Sequence, residues 1–311
     1  MASKTPDSKY IATAVAPKSY GFTRLGGTLE STCVDIGLTS IAPVRLLGTE
    51  GRWAAVEIAV TADTARLVDT RAALRDAFAG TADIALLPSE NRKKKLLVSD
   101  MDSTIIRQEC LDELAAYAGL KDEIAAITAR AMAGELDFEG ALTERVGKLN
   151  GLALEALQQC YDERISLMPG AKTLTATMSA RKAFCLLVSG GFTFFTTRVA
   201  DAAGFDADKG NTLIDDGSAL TGDVGRPILG REAKLEALDD CAFANGVTRA
   251  DALAMGDGAN DLAMIEAAGL GLAVHAKPIV AEAADAAINV TDLTAALYFQ
   301  GYTDSEIIWR D

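Results

Sequence analysis

The sequence predicts an α/β fold: a doubly wound parallel sheet with an inserted helical cap and a small N-terminal α/β domain. Beyond residue 168, short apolar runs alternate with helix-like segments, as in a sheet whose parallel strands are joined through helices. Between residues 108 and 167, apolar residues recur at helical spacing and no good strand intervenes. Strands are predicted at 183–188, 252–256 and 270–274, and a hairpin at 211–224.

The first part of the chain predicts a small domain that is followed by a linker. Residues 1–20 are small and polar, so we expect them to be loosely ordered. The pattern then predicts a strand at 54–60, a helix at 64–78 and a strand at 82–87. The charged run 89–95 predicts a solvated linker.

These patterns divide the chain into four parts. Residues 1–88 form the N-terminal domain and 89–95 the linker. The core comprises 96–107 and 168–311, and the helical cap is the insertion 108–167. Because all chemically suggestive motifs follow the linker, we expect the function to reside in the core and its cap.

Composition and charge exclude several classes of protein. With 311 residues, of which 49% are hydrophobic, the chain is long enough for two domains and a substantial core. The formal net charge of −14 disfavours nucleic acid and anionic membrane surfaces as partners. We expect no membrane-spanning segment, because no run is long and apolar enough.

The cysteines and the histidine narrow the chemistry further. The 5 cysteines are scattered and form no Cys-x-x-Cys pair, which predicts reduced thiols in a cytoplasmic protein. His275 is the only histidine, so a histidine-based triad or a multi-histidine metal site is excluded. We expect His275 to be structural.

Two aspartates follow the apolar run 96–99, which is predicted to be a buried strand. Asp100 and Asp102 lie one residue apart at its carboxyl end, where sites in open α/β sheets are found. Like charges this close disfavour joint ionisation, so a divalent cation or a proton-transfer task would explain them. An EF-hand loop is excluded because its sixth position is Ile105 and its twelfth is Leu111.

A second acidic strand end follows the predicted strand 252–256. Asp257 and Asp261 lie there, so two strand ends can bring three carboxylates to one hard cation. Mg²⁺ prefers such oxygen ligands and keeps several of its waters. A dinucleotide-binding interpretation of Gly256 and Gly258 is rejected, because Asp261 occupies the third glycine position.

Anion-binding features lie between the two acidic strand ends. Ser189, Gly190 and Gly191 follow an apolar strand, and glycines let backbone N–H groups approach a phosphate. An ordinary N-cap role for Ser189 remains the alternative. Lys234 is predicted in the first turn of a helix, where a cation opposes the helix dipole unless an anion is nearby.

Together these motifs resemble the haloacid dehalogenase-like phosphatases, which carry them in this order. The matching residues are Asp100, Asp102, Thr104, Ser189, Lys234, Asp257 and Asp261. Further runs at 100–109, 132–146, 188–192, 256–261 and 274–278 look like the phosphoserine phosphatase family. The resemblance covers about residues 96 to 300 and does not reach the N-terminal part.

The resemblance implies a Mg²⁺-dependent hydrolysis of O-phospho-L-serine through an aspartyl-phosphate. Asp100 would be the nucleophile and Asp102 the general acid and base. Mg²⁺ would be held by Asp100, the backbone carbonyl of Asp102 and Asp257, with Asp261 supporting Lys234 or the metal's waters. The phosphoryl oxygens would be held by Lys234, Ser189, Gly190 and Gly191.

The resemblance also assigns the serine end of the substrate. Glu109 would bind its ammonium group and Arg145 its carboxylate, while Asn260 would contact the phosphate or the substrate. From the sequence pattern alone, Arg145 has an equally good alternative as an internally paired charge on the apolar face of a helix.

Three functional alternatives stay open at this point. One is a related phosphatase for another phosphorylated amino acid or small metabolite, or one with additional phosphotransferase activity, which would differ only in cap contacts. A non-catalytic amino-acid sensor is the alternative from another class, since the resemblance suggests an ACT-like N-terminal module. A packing or dimerisation role for that module would instead make the protein a homodimer.

Overall fold

The computed structural model describes residues 8–132 and 135–310. Its strands are β1 Ser8–Pro17, β2 Thr39–Ser40, β3 Arg45–Gly48, β4 Trp53–Ala62, β5 Asp83–Pro88, β6 Leu96–Ser99, β7 Phe184–Phe192, β8 Ala207–Asn211, β9 Leu213–Asp215, β10 Leu220–Val224, β11 Ala252–Gly256, β12 Leu270–Val274 and β13 Ala286–Ile288. Its α-helices are α1 Phe22–Asp35, α2 Leu67–Phe78, α3 Cys110–Tyr117, α4 Lys121–Met132, α5 Phe138–Gly147, α6 Leu154–Arg164, α7 Ala171–Ala180, α8 Thr193–Ala203, α9 Arg231–Ala244, α10 Leu262–Ala267, α11 Pro278–Ala283 and α12 Ala295–Phe299. None of these helices is long and apolar enough to cross a bilayer.

Six strands form the predicted parallel sheet, in the order β13-β12-β11-β6-β7-β8. The strands β6 and β11 are buried along their whole length, as expected of strands covered by helices on both faces. The fold class predicted from the sequence is therefore confirmed. The carboxyl ends of β6, β7 and β11, which carry the predicted motifs, are neighbours at one edge of this sheet.

The N-terminal strands continue the same sheet rather than forming a separate one. They are antiparallel in the order β2-β4-β1-β5, and β5 pairs with β13 through Ala85 and Ala286. Beside this pairing the carboxylate of Asp83 accepts hydrogen bonds from the backbone N–H groups of Asn289, Val290 and Thr291. The boundary at residue 88 remains a prediction, but the sheet itself is continuous across it.

Residues 8–17 correct the expectation that residues 1–20 are loosely ordered. They form β1, which pairs with both β4 and β5, whereas residues 1–7 lie outside the described residues. Ala12, Ala14 and Val15 are completely buried. Small residues fit here because the helices α1 and α12 pack closely against β1. Composition alone does not reveal this packing.

The charged segment 89–95 contains no helix or strand, and Glu90, Lys93 and Lys95 are exposed as expected, but Arg92 and Lys94 are not. Arg92 forms a 2.9 Å ion pair with the buried Glu57. Lys94 is only 7% exposed, and its Nζ donates to the carbonyls of Asn91 and Ala250. The expectation of a solvated segment does not hold for Arg92 and Lys94, because tertiary partners supply the acceptors that sequence proximity does not.

Four helices, α3 to α6, form the predicted insertion between β6 and α7. The chain enters and leaves it through two adjacent segments, joined by a bridge between Ile106 and Leu167. The N–H of Arg107 also donates to the carbonyl of Ser166 at 3.1 Å. The predicted hairpin is present as β9 and β10 and contacts the insertion through a bridge between Ala219 and Ala153. These paired segments form a narrow hinge between the core and the helices.

Candidate active site

A cavity of about 500 Å³ lies at the carboxyl ends of β6, β7 and β11 and is covered by the inserted helices. Most of the site residues predicted from the sequence line it: Asp100, Asp102, Glu109, Arg145, Ser189, Gly190, Gly191, Asp257 and Asn260. The other two, Lys234 and Asp261, lie behind Asp100 and are bonded to each other. The structure thus brings the predicted residues to one place.

Asp100 lies directly after β6, and its backbone N–H donates to the carbonyl of Met255 on β11. Its carboxylate is 2.6 Å from the Nζ of Lys234. Burial raises the pKa of Asp100, the charge of Lys234 opposes that rise, and the negative charge of Asp261 adds to it. A carboxylate in this position needs a nearby cation to remain ionised.

Asp102 is held from two sides. Its Oδ1 accepts from the backbone N–H of Cys110 at the start of α3, and its Oδ2 lies 3.4 Å from the Ser189 hydroxyl. Burial, together with the charge of Glu109, raises the pKa of Asp102 to about 6. The carboxyl group can therefore both hold and release a proton near neutral pH.

The anion-binding segment is an extension of β7 and not a loop before a helix. The N-cap of α8 is Phe192, so Ser189 is not the N-cap, and its hydroxyl accepts from the N–H of Gly191. A Cβ on Gly191 would lie 3.0 Å from that hydroxyl and 3.1 Å from the carboxylate of Asp102. A side chain at position 191 would therefore crowd Ser189 and Asp102, whereas glycine lets the backbone lie close to both.

Lys234 is a buried cation between two carboxylates. It lies in the first turn of α9, as predicted, and is 3% exposed. Its Nζ is 2.6 Å from both Asp100 and Asp261. Burial alone would lower the pKa of Lys234, but Asp100 and Asp261 outweigh burial and raise it. Lys234 therefore stays positively charged, and the two carboxylates offset its unfavourable interaction with the helix dipole.

Asp100, Asp257 and Asp261 can place one carboxylate oxygen each within 4.8 Å of the others. Both oxygens of Asp261 are already occupied, by Lys234 and by the N–H of Gly258. The carboxylate of Asp257 has no hydrogen-bond or ion-pair partner among residues 8–132 and 135–310. Burial, then the charges of Asp261 and Glu109, raise its pKa to about 6. An all-oxygen set in which Asp257 is unpartnered and Asp100 has one oxygen not bonded to Lys234 fits a hard divalent cation.

Two charged side chains reach the cavity from the side of the inserted helices. Glu109 is exposed, and its Oε1 accepts from the hydroxyl of Ser103. Arg145 donates from Nε to the carbonyl of Ala141. Burial lowers the pKa of Arg145, while the charges of Asp112 and Glu109 oppose that shift. Within the described chain Arg145 forms no ion pair, so the internally paired alternative is not observed.

Sequence reasoning missed several residues that line the cavity, among them Asp112, Thr128, Phe138 and Lys277. Phe138 was assigned only to the apolar face of a helix, yet it is 42% exposed. Its ring lies 3.3 Å from the position that a Cβ on Gly190 would take. The one available signal for a place in the cavity was an aromatic residue at the start of a helix that lies opposite the glycine pair. His275 is exposed at a positive φ and lies outside the cavity lining.

Comparison with known proteins agrees with this geometry. The model of the haloacid dehalogenase-like hydrolase family matches residues 97–266. A phosphoserine phosphatase of Streptomyces coelicolor is 42% identical over 81% of this chain, and the match spans 62% of that protein. A phosphoserine phosphatase of Saccharomyces cerevisiae is 33% identical over 97% of this chain and 99% of its own length. A solved structure described as a phospho-aspartyl intermediate analogue of phosphoserine phosphatase is 39% identical, with a TM-score of 0.61 over 67% of this chain and 99% of that one.

The chain therefore belongs to the haloacid dehalogenase-like hydrolases. Within that family its similarity is to proteins named phosphoserine phosphatase, as the sequence motifs suggested. The chain spans about 62% of the length of the Streptomyces relative.

Proposed function

We propose that this protein is a Mg²⁺-dependent phosphatase that hydrolyses O-phospho-L-serine to L-serine and phosphate, the last step of L-serine biosynthesis. The proposal rests on a single cavity whose two ends differ in the chemical groups that they offer. One end offers the hydroxyl of Ser189 and the backbone of two glycines, with the charge of Lys234 behind Asp100. The other end offers Glu109 and Arg145, which match the ammonium and carboxylate groups of an amino acid.

In the proposed reaction, Asp100 attacks phosphorus and the leaving seryl oxygen departs. Asp102 gives its proton to that oxygen, which the raised pKa of about 6 makes feasible near neutral pH. The resulting aspartyl-phosphate is then attacked by water, from which Asp102 takes back a proton. The products are L-serine and inorganic phosphate, and both carboxyl groups return to their starting states.

The phosphoryl oxygens would be held by fixed donors. Lys234 supplies a charge already aligned with Asp100, and the hydroxyl of Ser189 lies between Gly191 and Asp102. The N–H groups at Gly190 and Gly191 complete the cradle. Donors fixed before the reaction need little reorganisation when charge develops on the transferring group.

A divalent cation would be held by Asp100, Asp257 and the backbone carbonyl of Asp102. The support is that Asp257 is unpaired in the described chain and that Asp261 is already bonded to Lys234 and Gly258. The ion would supply positive charge against the phosphoryl oxygens. Asp261 would hold Lys234 in place rather than bind the metal.

The serine end would be recognised by the inserted helices. Glu109 would receive the ammonium group and Arg145 the carboxylate, while Asn260 would contact the phosphate or the substrate. The narrow hinge at Ile106 and Leu167 would let the inserted helices close over the bound substrate and exclude water. The division into N-terminal domain, linker, core and cap is part of the same proposal.

A phosphate-release screen tests the proposal and its substrate. O-phospho-L-serine should be hydrolysed with higher kcat/KM than phosphoethanolamine, which lacks the carboxylate, or 3-phosphoglycerate, which lacks the ammonium group. The reaction should stop in EDTA and return with Mg²⁺. Preference for another phosphorylated amino acid would contradict the substrate, and absence of any phosphate release would favour a sensor.

The remaining expectations are also proposals. All five cysteines are free and buried, which supports a reducing, cytoplasmic location.

A homodimer formed through the N-terminal domain is supported by the exposed side chains of Val34, Leu46 and Val68 there. Size-exclusion chromatography with light scattering would test the dimer directly.

A further inference from the structure

A second cavity of about 500 Å³ lies where the N-terminal domain, α7 and the C-terminal tail, residues 307–310, meet. It shares no lining residue with the active-site cavity. The tail forms one wall, because the N–H of Arg310 donates to the hydroxyl of Thr173 and the N–H of Ile308 donates to Thr177. With Asp292 and Thr294, which precede α12, the cavity is built from four parts of the chain that only the fold brings together.

Its lining is positively charged, although the whole chain carries a net charge of −14. Arg52, Lys172 and Arg310 line it, and the one carboxylate in the lining is Asp292. That carboxylate already accepts from the indole of Trp53 and lies 3.3 Å from Arg52. Within residues 8–132 and 135–310, neither Lys172 nor the guanidinium of Arg310 has an ion-pair partner. Two cations of the lining therefore have no ion-pair partner in the described part of the chain.

A buried threonine and the N-terminus of a helix also favour an anion at this site. Thr294 is 1% exposed and lines the cavity, and its hydroxyl has no hydrogen-bond partner in the described chain. The helix α7 starts at Ala171 in the cavity wall, so its N-terminal partial charge also favours an anion. The hydroxyl can donate to an anion, which would satisfy it.

We propose that this cavity binds a small organic dianion, either a dicarboxylate or a phosphate monoester. Three cations face one carboxylate that is already bonded, so two negative charges would neutralise the site. Leu167, Met168 and Trp309 provide an apolar wall for a short carbon skeleton. The volume lies within the range in which small-molecule ligands are usually bound.

Intrinsic fluorescence reports on this site selectively. The chain has 2 tryptophans: Trp309 lines the cavity, and Trp53 is bonded to Asp292 in its wall. The full-length, Mg²⁺-loaded protein is titrated with succinate and with methylphosphonate at pH 8 and constant ionic strength. Succinamide serves as the neutral control. We expect a saturable change with at least one dianion and none with succinamide, and the dianion that binds identifies the acid group.

Paired variants locate the binding. Lys172→Gln combined with Arg310→Gln should raise the Kd at least about tenfold. The control combines Arg66→Gln with Lys182→Gln, two exposed cations outside the cavity, and should change the Kd less than about twofold. Thermal melting of both proteins checks that each is folded. The absence of a saturable response, a response to succinamide, or equal Kd changes in the two variants would overturn the proposal.

Discussion

Lys234 lies 2.6 Å from both Asp100 and Asp261, so one buried positive charge is shared by two carboxylates. The arrangement orients Asp100, and the charge of Lys234 opposes the rise in the pKa of Asp100 that burial causes. Asp261 is completely buried and also accepts from the N–H of Gly258, which links Lys234 to the end of β11. The reacting carboxylate is therefore positioned before a ligand arrives.

Replacing Asp100 tests its role as nucleophile. Asp100→Asn should lower kcat for phosphoserine by on the order of 10³-fold or more, because an amide is a poor nucleophile. The fold should persist, since Asp261 still pairs with Lys234. Asp122→Asn, an exposed change on α4, is the control and should retain activity. Normal phosphate release from folded Asp100→Asn would refute the assignment.

Arg145 separates substrate recognition from chemistry. Arg145→Ala should cost about 2–4 kcal/mol in kcat/KM for phosphoserine, because the carboxylate of the substrate would lose its partner. Phosphoethanolamine lacks that carboxylate, so its hydrolysis should fall much less. Arg145→Lys should restore only part of the loss, since lysine lacks the planar fork of arginine. If the ratio of the two kcat/KM values is the same in wild type and Arg145→Ala, the arginine is structural.

At the scale of elements, the loop after β3 is tied to the chain's last turn. One carboxylate oxygen of Asp304 accepts from the backbone N–H groups of residues 49–51, and the other accepts from the hydroxyl of Tyr298. Burial would raise the pKa of Asp304, but these hydrogen bonds outweigh it and lower the pKa below its usual value. This loop precedes β4, so the contact fixes one end of the antiparallel strands.

The contact of Asp304 predicts a pH-dependent stability. Because the pKa is lower in the folded state, the stabilisation is complete above the unfolded value, about 3.9, and is lost as the pH falls through the folded value. At pH 7, Asp304→Asn should lower the free energy of unfolding by about 1–2 kcal/mol. The difference from wild type should shrink below about pH 4. Urea titrations across this pH range measure the free energy of unfolding, with Asp201→Asn as an exposed control. If the difference between Asp304→Asn and wild type does not vary with pH, the role of the charge is contradicted.

At the scale of the whole molecule, one sheet of 11 strands runs through the N-terminal part and the parallel core. The helix α12 is fully buried, and its residues share one hydrophobic core with Val15 and Leu87 as well as with Leu97 of β6. Arg92 adds an ion pair to Glu57 and a hydrogen bond to the carbonyl of Phe299. The N-terminal part therefore covers apolar surface of the core.

Deleting residues 1–88 tests this coupling. All proposed catalytic side chains remain, but the deletion would expose α12 and the edge of β13. We expect a large loss of soluble protein and a lower melting temperature, because burying such apolar surface contributes about 25 cal/mol per Å². A truncated chain that melts cooperatively at the wild-type temperature and retains full activity would show that the N-terminal domain is an independent unit.

The sequence alone was sufficient for the parallel core and for most of the proposed site. Strand-end carboxylates, the glycine pair and Lys234 were all recognisable, because parallel strands align their carboxyl ends at one sheet edge. The helical insertion was recognisable from apolar spacing, because that periodicity is local. Family motifs then supplied roles that spacing could not.

Only the tertiary structure decided how the N-terminal part is used. The strand β1 and the buried charges of Arg92 and Lys94 were missed, because small apolar residues and charged runs acquire their burial from distant partners. The pairing of β5 with β13 and the second cavity likewise depend on segments more than 200 residues apart meeting in space. The local sequence pattern indicates which face of a segment is buried, whereas only the fold determines which residues that face contacts.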